Sequence, residues 1–203
     1  MTIRRGRSWG EAGPLATGAP VATSDAELAA LVAAAVLAGR AGAEVGLLGG
    51  DLCRTVGGPG RPDRLGTGDA QRLPVDAGIV MLDDGEPRVF VAHVVAGRAV
   101  RGPLVAAMNA EFVGRWDVAP RSHPNDGRLD LVEADLVAGD RWKAWRRLPL
   151  GTHVPHPGIA ERRVTDAVIE LPRAVPVRID GERAGRARRL RVRCVPDAFT
   201  IVV

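Results

Sequence analysis

Among the aspartates that stand beside glycines next to apolar runs, where a strand would hand a carboxylate to a turn, three are candidates for chemistry. The clearest is Asp180-Gly181-Glu182, which follows Val175, Val177 and Ile179. An alternating strand there would present two carboxylates, Asp180 and Glu182, at a sheet rim. Taken alone, Asp-Gly is equally an ordinary type I′ hairpin signal with no chemistry. The second is Asn125-Asp126-Gly127, just before the apolar run 129–136. Taken alone, it reads as an Asx-type turn opening a strand. The third is Gly49-Gly50-Asp51, between a short strand over 44–48 and a short helix running through Val56. His153 and His156 have H-x-x-H spacing, but zinc needs two more ligands and the adjoining prolines give an extended loop.

The elements that must position these groups follow from pattern. Ser24-Asp25-Ala26-Glu27 reads as a capping box, with Leu28, Leu31, Val32, Ala35 and Val36 at helical spacing behind it and Gly39 as the stop. A short strand is expected near residues 19–22, and the Gly/Pro-rich stretch 57–68 reads as a loop and a domain boundary. From about Leu73 the pattern changes to strands. Segments 79–82 and 88–95 flank an Asp83-Asp84-Gly85-Glu86 turn; 103–112 reads as a helical turn or an irregular strand; 139–147 reads as a short helix. Segments 164–171, 175–179, 188–195 and 199–203 complete an antiparallel set. In 188–195, Leu190, Val192 and Cys194 alternate with Arg189, Arg191 and Arg193, a buried face against a cationic one. Short strands with frequent turns predict a sandwich.

Composition narrows the function classes. The chain has 203 residues, 46% hydrophobic, a net charge of +4 and a single lysine, Lys143. The basicity is dispersed arginine, and with 3% aromatic residues and no tyrosine there is little to stack on bases, so nucleic acid is not expected as a partner. No apolar run approaches the ~20 residues of a membrane span, and no signal peptide is expected. Cys53 and Cys194 read as reduced thiols of a cytoplasmic protein. Scattered arginines leave peripheral contact with an anionic inner membrane face open. So do Trp142 and Trp145 among Arg141, Lys143, Arg146 and Arg147, where the alternative is one tryptophan packed on the sandwich.

Four signatures in fixed order, HPNDGRLDLVEADL (123–136), LPLGTHVPHPGI (148–159), PVRIDGERAG (176–185) and LRVRCVPDAFTIVV (190–203), resemble the C-terminal β-sandwich of the bacterial diacylglycerol and lipid kinases, the superfamily that includes sphingosine kinases. The resemblance implies an α+β protein, with an antiparallel β-sandwich over 73–203 preceded by a small, reduced α/β portion over 1–72. It implies that Asp180 matches the general base for the lipid hydroxyl, that Glu182 supports it, and that Asp126 matches the best-kept aspartate of a structural Mg²⁺ site. It also implies a nucleotide site near Asp25, Gly50 and Asp51. That half departs from the family: where lipid kinases carry a GGDGT turn, this chain reads Thr23-Ser24-Asp25-Ala26-Glu27, and only the aspartate remains. Leu65-Gly66-Thr67-Gly68-Asp69 looks closer to the family's second turn letter by letter, but it leaves too little chain before the strand near Val75.

Two functions follow as expectations. One is a lipid-kinase-type phosphotransferase using ATP and Mg²⁺. The other is a non-catalytic descendant that has lost ATP binding and holds a lipid, a small hydroxylated ligand or a partner. Homodimerisation stays open.

Overall fold

The computed structural model describes residues 9–98, 102–135 and 158–203. The segment expected as a helix over 139–147, Trp142, Trp145, His153 and His156 lie outside these residues.

Strand β13 (Glu182–Val202) organises the molecule. Its first half pairs antiparallel with β12 (Asp166–Ile179) on one side, and β4 (Gln71–Leu82) runs along its other side. Four expected short strands are therefore two long ones. The reason is that Pro172 and Pro196 fall inside register shifts, where the ladder is already interrupted, so the strands bend there without ending, while Pro176 stays paired in register with Arg186. From β12 the sheet continues through β6 (His93–Gly97), β7 (Leu104–Met108), β10 (Leu129–Ala134) and β11 (Ile159–Val164). Residues 104–108 thus form a regular strand paired to β6 and β10, not a helical turn. The sheet folds over a core to which β4, β5 (Arg88–Phe90), β6, β7, β10, β12 and β13 all contribute, including Phe90, Leu129, Leu131, Ile169, Leu190 and Val192. This is the antiparallel sandwich.

The N-terminal portion is built onto the same sheet. Helix α1 (Asp25–Leu37) starts at Ser24, whose hydroxyl accepts from the Glu27 amide. The reciprocal arm is displaced by one residue: the Glu27 carboxylate accepts from the amide and hydroxyl of Thr23, not from Ser24. Leu28, Ala29, Val32 and Val36 form the buried stripe, whereas Leu31, expected on it, is 44% exposed. Strand β3 (Glu44–Leu47) pairs in parallel with β2 (Val21–Ala22) and with the last residues of β13. Short helices α2 (Asp51–Thr55) and α3 (Pro62–Leu65) follow, the latter inside the stretch expected to be loop. The boundary expected at residue 72 falls inside β4, and one core joins α1, β3 and α2 to Val75, Ala77, Phe199 and Ile201.

Both anticipated hairpin turns form. Asp83 and Asp84 have φ of 48° and 60°, Asp180 and Gly181 of 47° and 84°, the paired positive values of a type I′ turn. The segment expected as one strand over 88–95 is split at Val91 and Ala92 into β5 and β6.

Phe90 fills the space above Gly78, its cross-strand partner on β4, where an added Cβ would lie 2.0 Å from the ring. We expect Phe90→Ala to cost about 3–5 kcal/mol in chemical denaturation. Gly78→Ala should destabilise too, because the ring must move. Combined, the two should cost clearly less than their sum, since removing the ring makes room for the methyl; strict additivity would show that the contact is not shared.

Candidate functional site

Four of the residues singled out in the sequence meet through one chain of contacts between α1, α2 and the β12–β13 hairpin. Asp25, in the first turn of α1, is buried, and its carboxylate accepts from the amides of Asp51 (2.5 Å) and Leu52 (3.1 Å). It thereby caps α2, supplying acceptors to amides that a helix start leaves unpaired. Gly50 lies directly over it at φ +98°, and a Cβ there would sit 2.4 Å from Asp25 Oδ1. Gly50 is thus required for the close approach of two loops. The Asp51 carboxylate accepts from the Gly114 amide and faces His93 Nε2, both at 2.9 Å.

His93 is the residue that sequence reading missed. It is 2% exposed, its Nδ1 has no hydrogen-bond partner among the described residues, and its backbone leads straight to the expected catalytic aspartate. Asp180 Oδ1 accepts from the amides of Ala92 and His93, Oδ2 from that of Val91, all at 2.9 Å, and the Asp180 amide donates to the His93 carbonyl. Asp180 therefore does not project from the rim as expected. It is 7% exposed, turned inward by its left-handed backbone. The break between β5 and β6 has the same cause, since amides 91–93 point at a carboxylate and not along the ladder. Glu182 stays exposed at the turn.

Charge follows burial. Desolvation pushes the Asp25 carboxyl up to about 6, against the lowering effect of the two α2 amides and with Asp180 and Asp51 adding to it. Burial likewise raises Asp180 above the usual carboxylate range, outweighing its three amides and His93. At Asp51 burial also acts upward, but His93, the Gly114 amide and Arg54 win and hold it below the ordinary value. His93 is raised despite its burial, because Asp51, Asp180 and Asp25 surround it.

Asp126 belongs to a different network. Its carboxylate accepts from the Arg128 amide and lies 3.6 Å from the Arg163 guanidinium. Beside it, fully buried Asp76 accepts from the amides of Gly127 and Asp197, and desolvation pushes it up to about 6. Among the described residues, no three His, Cys, Asp or Glu side chains gather as a metal site. No helix among them is long and apolar enough to cross a membrane.

Adjoining Asp180 is a groove of about 430 Å³, floored by Ala29, Val89 and Ile179, with Ala26, Ala30, Ala33 and Leu37 of α1 along one wall.

Asp180→Asn keeps one acceptor oxygen and turns an amide donor toward a backbone N–H. We expect it to lose about 2–3 kcal/mol, read as a thermal midpoint lower by roughly 5–10 °C; an unchanged midpoint would contradict the triple acceptor role. Asp25 gives a pH test. Its folded pKa is raised, so its contribution to stability is full below about 3.8 and is lost as pH rises through about 6. The penalty for Asp25→Asn should accordingly be larger at pH 4.5 than at pH 7, by about 2 kcal/mol in urea titrations at the two values.

Comparison with known proteins agrees with this architecture. Residues 77–203 match the family model of the YegS C-terminal NAD kinase beta sandwich-like domain. A solved structure from Bacillus anthracis str. Sterne described as a diacylglycerol kinase superposes with a TM-score of 0.60 at 15% identity, covering 78% of this chain and 68% of its own. A second from the same organism gives 0.56 at 14% identity with the same coverage. A third gives 0.53 at 14% identity and covers 78% of this chain and 66% of its own. Identities this low speak to fold alone. No curated protein matches the sequence significantly. With a family model spanning more than half of its length, the chain belongs to the YegS C-terminal NAD kinase beta sandwich-like family.

Proposed function

We propose that this protein is a lipid-kinase-like scaffold that binds a ligand beside its hairpin without transferring phosphate from ATP. One observation carries the reading: the backbone amides of the expected donor site are already taken. The Glu27 amide is held by Ser24, and the Asp51 and Leu52 amides by Asp25. Glu27 folds back on Thr23, so a carboxylate stands at the start of α1. Gly49 and Gly50, which could admit phosphate oxygens, are packed against the Thr23 carbonyl and the Asp25 carboxylate. A triphosphate would have to displace these acceptors and approach Asp25, Glu27 and Asp51. Amide contacts to a charged group are worth about 1.5–3 kcal/mol each, so losing two or three removes most of a nucleotide's affinity.

The residue matched to Mg²⁺ supports the same reading. Asp126 has Arg163 as its neighbouring cation, which suits an ion pair better than a divalent metal. The competing phosphotransferase, with Asp180 as base and Glu182 in support, has the meeting of Asp25, Asp51 and Asp180 in its favour. It would need the Asp180 carboxylate released from three amides to reach a hydroxyl proton.

Calorimetric titration of ATP with Mg²⁺ should give no measurable heat of binding and no shift in thermal midpoint. Radiolabelled ATP should leave diacylglycerol and monoacylglycerol unphosphorylated. Sub-millimolar ATP binding, or transfer that Asp180→Ala abolishes, would overturn the proposal in favour of the kinase.

A further inference from the structure

We infer that the groove between α1 and the β12–β13 hairpin binds a single-chain anionic amphiphile, an acyl chain ending in a phosphate monoester; this deepens the ligand-binding reading above and rests on it. The groove exists because of side-chain size. Ala26, Ala30, Ala33 and Leu37 recur along one stripe of α1, and alanine leaves unfilled the space that larger side chains would close against the hairpin. Ala29, Val89 and Ile179 below are buried, so the floor is apolar. A volume of about 430 Å³ lies at the small end of the ~300–1,000 Å³ typical of ligand pockets. That is room for one chain.

Charge at the open margin selects the headgroup. Arg88 and Arg183 line it, both exposed. Arg88 reaches across from β5 to the Ala184 carbonyl, which fixes its position over the groove's end. Arg183 stands in register opposite Arg178, a like-charge cross-strand pair that costs stability unless an anion relieves it. Arg178 turns to the Gly181 carbonyl, whereas Arg183 makes no ion pair among the described residues. Arg186 follows on the same hairpin. The only carboxylate exposed on the lining is Glu182, since the Asp180 carboxylate is occupied by backbone amides. Two guanidiniums against one carboxylate favour an anion, and arginine's planar fork suits phosphate oxygens. A neutral diacylglycerol would satisfy neither the charge nor the volume.

The test is fluorescence or calorimetric titration of the full chain with monomeric 1-myristoyl lysophosphatidate. Controls are the matching monoacylglycerol, which has the chain without the charge, and inorganic phosphate, which has the charge without the chain. Lysophosphatidate should bind at least about tenfold more tightly than monoacylglycerol, a difference of about 1.4 kcal/mol, and millimolar phosphate should not displace it. Ala33→Trp, which fills the groove, should abolish binding. Arg183→Glu should weaken it about tenfold or more, with thermal midpoints near wild type for both variants. Binding unchanged in either variant, or equal affinity for the neutral lipid, would overturn the assignment. So would displacement by millimolar free phosphate, which would show that charge alone is recognised and that the chain adds nothing. ATP-dependent phosphorylation of monoacylglycerol would instead sink the non-catalytic reading while leaving the groove intact, so the two failures are distinguishable.

Discussion

The interaction on which the rest of this structure depends is the Asp180 carboxylate receiving three successive backbone amides, those of Val91, Ala92 and His93. A buried carboxylate left alone would be heavily disfavoured, and three unpaired buried amides would be as well; together they satisfy each other. The consequences spread outward. The chain must leave the ladder at 91–92, which separates β5 from β6. The turn brings His93 inward against Asp51, and so docks α2 onto the sandwich. With the hairpin anchored from inside, Glu182 and Arg183 are presented along the groove beside α1.

The same device recurs wherever two parts of the fold are joined. Asp25 holds the start of α2, Asp76 holds the amides of Gly127 and Asp197, and Asp83 holds those of Arg188 and Arg189. Asp76 is placed where β13 shifts register between Val195 and Phe199, with Pro196 and the left-handed Asp197 in the bend. That bend carries β13 from the sandwich core to the core shared with α1 and β3, so one strand serves both. The aspartates of this chain act first as receptors for backbone donors. Any chemistry would have to compete with that task.

Local pattern made much of this legible. Ser24 and Gly39 bracketed α1, Asp83-Asp84-Gly85 and Asp180-Gly181 marked their turns, and the alternation of Leu190, Val192 and Cys194 with three arginines appeared as a buried and a wet face. What failed was whatever depended on contacts distant in sequence. Leu31 fits the apolar period of α1, yet the sheet meets only the stripe of Leu28, Val32 and Val36. The strand ends expected at Leu171 and Val195 are register shifts through which β12 and β13 continue. Asp180 was expected at a rim because its turn is local, while its three partners lie nearly ninety residues away. His93 and Asp76 sit in apolar strands with no motif around them; only their partners at Asp51, Gly127 and Asp197 give them meaning.

The proposed departure from a nucleotide site would be built into the packing as well as the sequence. Restoring glycines at Thr23 and Ser24 would free one amide at the start of α1, but Asp25 would still occupy those of Asp51 and Leu52. Removing Asp25 would leave the buried Leu52 amide without its acceptor and open a gap beneath Gly50. Any side chain at Gly49 is blocked by the Thr23 carbonyl, 2.4 Å from where a Cβ would stand. Freeing the amides of Asp51 and Leu52 therefore destabilises the dock between α2 and the sandwich that the Asp51–His93 contact maintains. The alanine stripe of α1 carries no such constraint: Asp180 borders the groove, but Ala26, Ala30 and Ala33 bear none of these bonds. Binding function can change there without unfolding the site behind it.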